Sequence, residues 1–412
     1  MPRPLVRAAL AAVLTLSLTV LAGCSGAPTP TPTPTPSPTP LGDGVLKIGT
    51  LFPSSGGVRF IGPAQVAGVK AAVRAINAAG GVNGVPVVVV SRDSGDAATE
   101  KVEASFAALV EAEVDVVIGP SSSVLAQRLL ELAADAGIPL VSPAATYPQL
   151  SALDEEDIFF RTIATYPHQA VVFASLFADR DVDSAAIVFR EDDVSGTLAA
   201  ALDASLAALD IELEAVEVAA DADADEIAAA VATVKETAPD AVVLATPDNG
   251  TQTKTLITQL SAAGFGGAKL WLTSQNLADY SQALKAGLLK GVNGLLDGAE
   301  ADAAFRAIIK KEDPGVALFR YAAEAYDATV LAALAAELAG DDAGTAIASS
   351  LRDASVGGIK CTSFGECVDV LRTQPDIDYD GISGSVNLDG DGDPKRGTYV
   401  VVAYDAKNKY AR

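Results

Sequence analysis

Residues 114–126, VDVVIGPSSSVLA, join an apolar run to a Gly-Pro pair, three consecutive serines and the start of a helix pattern. A short apolar run that ends in turn residues is typical of a strand buried on both faces. The serines then lie where a helix begins, and the first backbone N–H groups of a helix have no partner within it. The stretch therefore predicts a strand, a turn rich in hydroxyl groups and a helix, in that order.

The same alternation continues on both sides of this stretch. Apolar runs and alanine-rich helix patterns follow one another, with runs at 46–52, 85–90, 114–119 and 138–142 and helix patterns near 63–79, 99–111 and 122–134. Runs that are apolar on both faces and separated by helices are typical of parallel strands covered by helices on both sides. The first half of the chain is therefore predicted to be a doubly wound α/β lobe.

The pattern starts again in the second half. Runs and helix patterns alternate as before, with runs at 185–189, 211–218, 241–246 and 269–273 and helix patterns near 197–209, 225–236 and 251–263. Residues 301–354 have a mostly helical pattern, whereas SGSVNL (383–388) and GTYVVVAY (397–404) alternate as an antiparallel pair would. We therefore expect two doubly wound parallel-sheet lobes in one chain.

The size and charge of the chain narrow its class. It has 412 residues, 50% of them hydrophobic, which suits two cores because a single core stops growing near ~250 to 300 residues. The 53 Asp and Glu outnumber the 29 Lys and Arg, for a net charge of -24, and an acidic surface repels nucleic acid. We expect a two-lobed protein without a nucleic-acid partner.

The first 44 residues predict export and anchoring. A basic start precedes an apolar run at 8–20, which is the layout of a secretory signal, and LAGC (21–24) resembles a bacterial lipoprotein box. Residues 1–23 are predicted to be a lipoprotein signal peptide and Cys24 the lipidated residue; a plain secretory cut and an uncleaved anchor are the alternatives. The Thr-Pro repeat within 24–44 favours a semi-rigid polyproline II linker. The predicted location is extracytoplasmic, lipid-anchored to the outer face of the bacterial cell membrane.

Two further cysteines, Cys361 and Cys367, lie close together near the C-terminus. Disulfides persist in exported proteins, so a local disulfide is predicted here. A two-cysteine metal site is the alternative, but no histidine lies nearby. The bridge is expected to hold a loop and to have no role in binding.

The motifs of common catalytic sites are missing. His168 is the only histidine, and no G-x-S-x-G, G-x-x-x-x-G-K-[ST] or G-x-G-x-x-G motif follows a predicted strand. Metal sites with several histidines and a Ser-His-acid triad are therefore disfavoured. We expect no enzyme activity and no cofactor.

Two acidic stretches resemble calcium-binding loops in part of their sequence. DIDYDG (376–381) matches the first half of an EF-hand loop, but Asn387 stands where a bidentate Glu is needed. In DGDGDP (389–394), Pro394 stands where glycine belongs. Turn chemistry explains both stretches, so we expect no metal site.

A second polar turn follows the next predicted strand, in VSPAAT (141–146). Adjacent parallel strands would place it beside the serine turn, at the edge of the sheet where ligands bind in α/β folds. The serine hydroxyls and free N–H groups can hold a carboxylate, while the Ala144 carbonyl and the Thr146 hydroxyl suit an ammonium or amide donor. Plain helix capping is the alternative for the serines, although one serine would suffice for it.

Several motifs together resemble a known family. They are KIGTLFPSSG (47–56), GPAQVAGVKAAVRAINAAGGVNGVPV (62–87), VIGPSSS (117–123), GIPLVSPAAT (137–146), FFRT (159–162) and IDYDGISGSVNLDGDGDP (377–394). They resemble type I extracytoplasmic solute-binding proteins of the branched-chain amino-acid (leucine-isoleucine-valine) class, which serve ABC importers. The resemblance runs from about Leu46 to Tyr404.

This resemblance implies two α/β lobes joined by three crossing segments, with a small solute bound in the cleft between them. The implied N-terminal lobe comprises 45–165 plus 299–380, and the C-terminal lobe 166–298 plus 381–412. Ser123, with Ser122 beside it, falls where the family binds the carboxylate of the solute. Ala144 and Thr146 fall where a backbone carbonyl and a Thr hydroxyl and N–H hold its amino-acid group.

The second lobe departs from the family pattern. Gln275 stands where amino-acid binders place an acid that pairs with the ammonium, and a neutral amide cannot neutralise a buried cation. Tyr166 stands where many members carry an Asp, and Val194 where some place a stacking tyrosine.

Three acids offer the missing negative charge: Glu191, Asp193 and Asp248. Ordinary surface charge is the alternative for each of them. The departures leave an amide, a urea-like compound or a small carboxylate as credible a solute as an amino acid.

The resulting hypothesis is a monomeric, membrane-anchored protein that captures a small polar solute and delivers it to the transmembrane subunits of an ABC permease. The same fold could serve as a sensor that signals to a membrane partner without transport. An exported hydrolase is disfavoured by the single histidine and the missing serine motif.

Overall fold

Two mainly parallel sheets covered by helices make up the part of the chain that the computed structural model describes, residues 42–154 and 156–411. The predicted α/β class with two parallel-sheet lobes is therefore confirmed. The predicted signal at 1–23, the predicted lipid-bearing Cys24 and the linker up to residue 41 lie outside the described residues.

The first lobe is built on five parallel strands: β1 (Lys47–Phe52), β2 (Val88–Asp93), β3 (Val116–Ile118), β4 (Leu140–Ser142) and β5 (Phe159–Arg161). Their order in the sheet is β2-β1-β3-β4-β5. Ile48 pairs with Val116, and Val117 with Leu140, so the apolar runs lie side by side in register. Both faces of β3 and β4 are buried, as their unbroken apolar sequence predicts.

Helices follow the strands of this lobe: α1 (Gly62–Ala78), α2 (Lys101–Val110), α3 (Ser123–Ala136) and α4 (Gln149–Leu153). Ser122 caps α3, because its hydroxyl accepts a hydrogen bond from the Leu125 N–H. Gly137, at φ 65°, ends the helix in the left-handed conformation that glycine adopts without strain. The start of α3 is therefore held at the end of β3, where the serine turn was predicted.

The second lobe repeats this arrangement with parallel strands β6 (Ser184–Arg190), β7 (Glu212–Val218), β8 (Ala241–Ala245), β9 (Leu270–Leu272) and β10 (Asn293–Asp297). Its helices are α5 (Gln169–Ala178), α6 (Asp193–Ala207), α7 (Ala224–Thr237) and α8 (Thr251–Leu260). A separate apolar core forms on each face of this sheet, so the second lobe is independently packed.

The chain then returns to the first lobe through α9 (Ala303–Glu312), α10 (Ala322–Ala339), α11 (Gly344–Leu351) and α12 (Phe364–Leu371). α10 packs against α1 and is buried nearly all round, which explains its alanine-rich sequence. Two acids of this helix, Glu324 and Asp327, are buried with it. In the described part of the chain, no helix is both long and apolar enough to cross a bilayer.

A small third sheet completes the first lobe, with β11 (Ile359–Cys361), β12 (Ile377–Gly381) and β13 (Gly384–Ser385). The predicted disulfide is present: Cys361 at the end of β11 bonds to Cys367 in α12. Both cysteines belong to the first-lobe core and lie away from the interlobe cleft described below.

The C-terminal strands β14 (Tyr399–Tyr404) and β15 (Tyr410–Ala411) belong to the second sheet. β14 pairs antiparallel with β10 and β15, so the predicted pairing of SGSVNL with GTYVVVAY is wrong. Of SGSVNL, only β13 forms a strand, and it pairs with β12. The remaining apolar residues, Val386 and Leu388, are anchors in the first-lobe core.

Three segments cross between the lobes, at 162–165, 298–301 and 395–398. The first crossing runs from β5 of the first lobe to the buried Tyr166 of the second. The second runs from β10 of the second lobe to the buried Ala301 of the first, and the third runs from the region after Leu388, in the first lobe, to β14 in the second. Because Leu388 packs in the first lobe, the third crossing lies later than the predicted boundary after residue 380.

Candidate functional site

A cavity of about 730 Å³ lies between the lobes. It is lined by the turns after β3 and β4 of the first lobe and by the turns after β8 and β9 of the second. These are the carboxyl ends of parallel strands, where α/β folds bind ligands. The structure thus brings the predicted residues Ser122, Ser123, Ala144, Thr146 and Gln275 into one cleft.

The three serines have three different partners. Ser121 donates to Gln65 Oε1 at 2.8 Å, and Ser122 caps α3. The Ser123 hydroxyl oxygen accepts hydrogen bonds from the N–H groups of Thr146 and Tyr147, at 3.1 and 3.2 Å. Ser123 therefore ties the two polar turns together, and its own proton remains available to donate into the cleft.

The second turn presents a carbonyl and a hydroxyl. Ser142 accepts hydrogen bonds from the N–H groups of Ala144 and Ala145, which holds the turn closed. No described residue donates to the Ala144 carbonyl, and this residue lines the cavity. The Thr146 N–H is bound to Ser123, so of the two Thr146 groups expected to bind solute, the hydroxyl is the one that faces the second lobe.

Arg161, at the end of β5, supports this turn from behind. It is completely buried and donates to the carbonyl oxygens of Ala145 at 2.9 Å and Tyr147 at 3.0 Å. Its charge is balanced by an ion pair with Asp393, just before the third crossing. A buried ion pair of this kind holds geometry more than it adds stability, so it fixes the shape of the binding turn.

Gln275 reaches the first lobe from the turn after β9. Its Nε2 donates to the Thr146 hydroxyl oxygen at 3.2 Å, a hydrogen bond that spans the cleft. Its neighbour Asn276 holds the turn by donating to the Leu244 carbonyl at 2.8 Å and accepting from the Thr273 N–H. Gln275 therefore lines the cavity at the position that the family pattern predicts, and its side chain carries no charge.

Two predicted site residues lie outside the cavity. Tyr166 is buried in the second-lobe core, where its hydroxyl donates to Thr273 at 2.9 Å and burial raises its pKa. Asp193 is exposed in the first turn of α6. The geometry therefore corrects both expectations: Tyr166 turns inward because its ring fills the core after the first crossing, and Asp193 points to solvent.

The other acids considered have partners or lie at the surface. Asp248 lines the cavity rim, but it is exposed and lies 3.3 Å from Arg190. Glu191 is exposed, and Val194 is a core residue. Neither Asp248 nor Glu191 therefore supplies a buried negative charge to the cleft.

Asp297, Arg320 and Tyr321 are among the lining residues that were not predicted from the sequence. Asp297 ends β10, and the other two stand directly before α10. Asp297 Oδ1 accepts from Arg320 Nη2 at 2.7 Å and from the Tyr321 hydroxyl at 3.0 Å. The guanidinium also stacks over the Tyr321 ring, 4.7 Å from its centre. Asp297 reaches the cleft because it ends a strand of the second sheet.

The phenol groups in the cleft are hydrogen-bond donors. Burial raises the pKa of Tyr147 and raises that of Tyr321 well above its ordinary value, so both remain protonated at neutral pH. With Asp297 paired to Arg320, the buried part of the cleft is close to neutral overall. Such a site suits a solute that is neutral or zwitterionic.

The acidic stretches near the C-terminus are used within the fold. Asp389 accepts hydrogen bonds from the N–H groups of Asp391 and Asp393, which is turn chemistry. Among the described residues, no three His, Cys, Asp or Glu side chains are grouped closely enough to hold a metal ion.

Two α/β lobes, three crossings and a polar cleft between strand ends define a two-lobed solute-binding protein. The family model described as "Periplasmic binding protein" matches residues 45–373. The chain therefore belongs to the periplasmic binding protein family, of type I.

Two relatives and one solved structure illustrate the similarity. The chemotactic signal transduction system substrate-binding protein BasB of Halobacterium salinarum is 25% identical over 373 residues, 88% of this chain and 87% of that protein. The leucine-, isoleucine-, valine-, threonine-, and alanine-binding protein of Pseudomonas aeruginosa is 31% identical over 152 residues, 37% of this chain and 40% of that protein. The substrate-binding protein LivJ of Streptococcus pneumoniae, solved with isoleucine, agrees in fold with a TM-score of 0.63 at 22% identity, over 89% of this chain and 98% of LivJ.

Proposed function

We propose that this chain is the membrane-anchored solute-binding component of an ABC importer. It captures a small polar solute in the interlobe cleft and delivers it to the transmembrane permease subunits, as a monomer tethered through Cys24. The observation that carries the proposal is the cleft itself, in which both lobes present hydrogen-bonding groups to one cavity. The relatives that bind amino acids support the same function.

Capture would proceed by closure of the two lobes. The first lobe offers the Ser123 hydroxyl and the Ala144 carbonyl, and the second lobe brings Gln275 to the same place. A solute that contacts both lobes binds the closed form more tightly than the open form, so it shifts the population toward closure. A permease can then distinguish the solute-bound, closed form from the open form by its shape.

The solute class is set by the groups that face the cavity. A carboxylate or carbonyl oxygen of the solute can accept from Ser123 at the start of α3, where the helix dipole also favours negative charge. An ammonium or amide nitrogen can donate to the Ala144 carbonyl. Amino acids, amides and small carboxylates all satisfy at least one of these conditions.

A thermal-shift screen tests this function. The purified protein is heated with individual amino acids, amides and short carboxylates at millimolar concentration, and isothermal titration follows each solute that raises the melting temperature. At 100 times its Kd a solute stabilises the protein by about 2.7 kcal/mol. At least one solute should bind at a ratio of one per chain without being converted; no binding across the panel would overturn the proposal.

A sensor role is the second candidate, and the similarity to a chemotactic signal transduction protein along nearly the whole chain favours it. Solute uptake distinguishes the two. Deleting the gene should abolish uptake of the bound solute if the chain serves an importer. Unchanged uptake combined with a lost behavioural response to that solute would favour the sensor.

A further inference from the structure

Asp297 and Arg320 form the only ion pair among the described residues whose two members both line the cleft. The two residues approach from opposite sides of the second crossing, because Asp297 ends β10 and Arg320 precedes α10. Asp297 is 5% exposed, so its carboxylate is held in a largely dehydrated position. Tyr321 is the third member of this hydrogen-bonded group, because its hydroxyl also bonds to Asp297.

One oxygen of this carboxylate is used and the other is not. Both donors, Arg320 and Tyr321, bond to Oδ1. Oδ2 has no hydrogen-bond donor among the described residues, although a carboxylate can accept about four hydrogen bonds in all. Oδ2 is not among the described atoms that are both buried and unpartnered, and Asp297 is one of the residues that line the cavity.

Tyr321 connects this carboxylate to the predicted binding turn. Its ring packs in one apolar cluster with Ala144 and Ile163, while its hydroxyl holds Asp297. Tyr321 therefore contacts both Ala144, whose carbonyl has no described donor, and Asp297, whose Oδ2 has none. Both are acceptors, and a cationic nitrogen requires several acceptors, one of them charged, once it leaves water.

We infer that Asp297 is the group that receives the cationic nitrogen of the solute, which makes the cleft selective for solutes that carry an amino group. The inference rests on the proposed solute-binding function and narrows its substrate class. The Asp297 carboxylate can balance the positive charge of the solute nitrogen, which the neutral Gln275 amide cannot do. Arg320 and Tyr321 are positioning residues, because both bond to Oδ1 and leave Oδ2 without a protein donor.

Matched pairs of probes that differ only in the amino group test the inference. We use L-leucine with 4-methylpentanoate and L-alanine with propanoate, and measure each Kd by titration. The wild-type protein should bind an amino acid more tightly than its partner. Asp297→Asn should weaken binding of the amino acid about 30-fold or more, as expected for removal of one member of a buried charge pair, and should leave binding of the carboxylate within a few-fold.

Two variants control for indirect effects. Asp193→Asn removes an exposed carboxylate outside the cavity and should change neither Kd. Asp297→Glu keeps the charge and should retain the preference for the amino acid over its partner, which a merely structural role of Asp297 would not predict. Thermal unfolding of each variant confirms that it is folded.

The outcomes separate this inference from the proposed function. If the wild-type protein binds both members of a pair equally, or Asp297→Asn keeps the wild-type ratio, Asp297 is not the acceptor and solute binding stands. Should Asp297→Asn fail to fold, Asp297→Glu is the deciding variant, because moving the carboxylate should change the Kd of the amino acid and leave that of its partner within a few-fold. A wild-type protein that binds neither member of either pair, and no other solute of the panel, overturns both.

Discussion

Ser123 combines two roles in one hydroxyl group. Its oxygen accepts two backbone N–H groups of the neighbouring turn, and its proton is left for the cleft. The hydroxyl that we propose to bind solute therefore also holds the two turns together. A change at this residue should therefore affect both stability and binding.

Replacing Ser123 by alanine should lower the free energy of unfolding by about 1–3 kcal/mol, because two N–H groups lose their acceptor in a buried position. Solute binding should weaken as well. Urea unfolding and titration measure the two effects. Ser122→Ala is the matched control, since this hydroxyl makes one long capping bond of 3.5 Å and should cost about 0.5–1 kcal/mol. Equal effects of the two changes would contradict the role given to Ser123.

The first-lobe half of the site could be predicted from sequence because it is local. Ser123, Ala144 and Thr146 directly follow apolar runs that end in turn residues, so the strand ends are readable. Asp297 could not be found in this way, because β10 begins with Asn and Gly and contains only two leucines before the acid. Arg320 precedes a helix with no capping signal, and only the fold brings it to Asp297.

At the scale of elements, the parallel strands were predictable and the C-terminal pairings were not. A buried parallel strand is apolar on both faces, so its own sequence identifies it. The alternation of GTYVVVAY identifies a strand with one buried face but does not say which strand it pairs with. Val402 and Tyr404 are buried in the second-lobe core, which is why β14 joins β10.

α10 carries a buried acid beneath the crossings. The Glu324 side chain accepts a hydrogen bond from the Ala299 N–H of the second crossing, and its Oε2 is buried without a partner. The backbone carbonyl of Glu324 accepts from the Thr162 hydroxyl of the first crossing, at 2.8 Å. Burial raises the pKa of Glu324 to about 8, with Asp327 and Asp297 adding smaller contributions.

This raised pKa predicts a stability that falls as pH rises. Below the ordinary Glu pKa of 4.5 both the folded and the unfolded protein are protonated at Glu324, so there is no effect. Between 4.5 and about 8 the unfolded chain releases this proton more readily, which favours unfolding increasingly up to pH 8. Glu324→Gln mimics the protonated side chain, so it should remove this pH-dependent loss in the free energy of unfolding.

Urea unfolding of the wild-type protein and of Glu324→Gln at pH 5 and pH 8.5 measures the difference. The variant should be nearly as stable as the wild type at pH 5 and more stable at pH 8.5. Asp327→Asn serves as contrast, because Asp327 is satisfied by Tyr379, Ile382 and Ser383 and its loss should destabilise at both pH values. The same wild-type-to-variant difference at both pH values would show that Glu324 does not titrate in this range.

At the scale of the whole molecule, the predicted lipid anchor would decide where capture takes place. Under the proposed function, residues 24–44 would tether the binding lobes to the membrane that holds the proposed permease partner. Mass spectrometry of the N-terminal peptide from cells should find a lipid-modified Cys24, and the protein should enter the detergent phase on partitioning. Cys24→Ser should lack the lipid. An unmodified peptide beginning at another residue in the wild-type protein would contradict the lipoprotein prediction.

The start of α10 also has a mechanical consequence. Tyr321 packs with Ile163 of the first crossing, and Glu324 contacts the first and the second crossing. Gly298 of the second crossing donates its N–H to the Thr398 carbonyl of the third. If the lobes rotate about the crossings, the displacement of a residue grows with its distance from them. Asp297, which adjoins the second crossing, would then move little, whereas Phe60 of the first lobe and Asn249 of the second, which both line the cavity, would move relative to each other. Spin or fluorescence labels at Phe60 and Asn249 should report such a rotation, and a label beside Asp297 should report little of it.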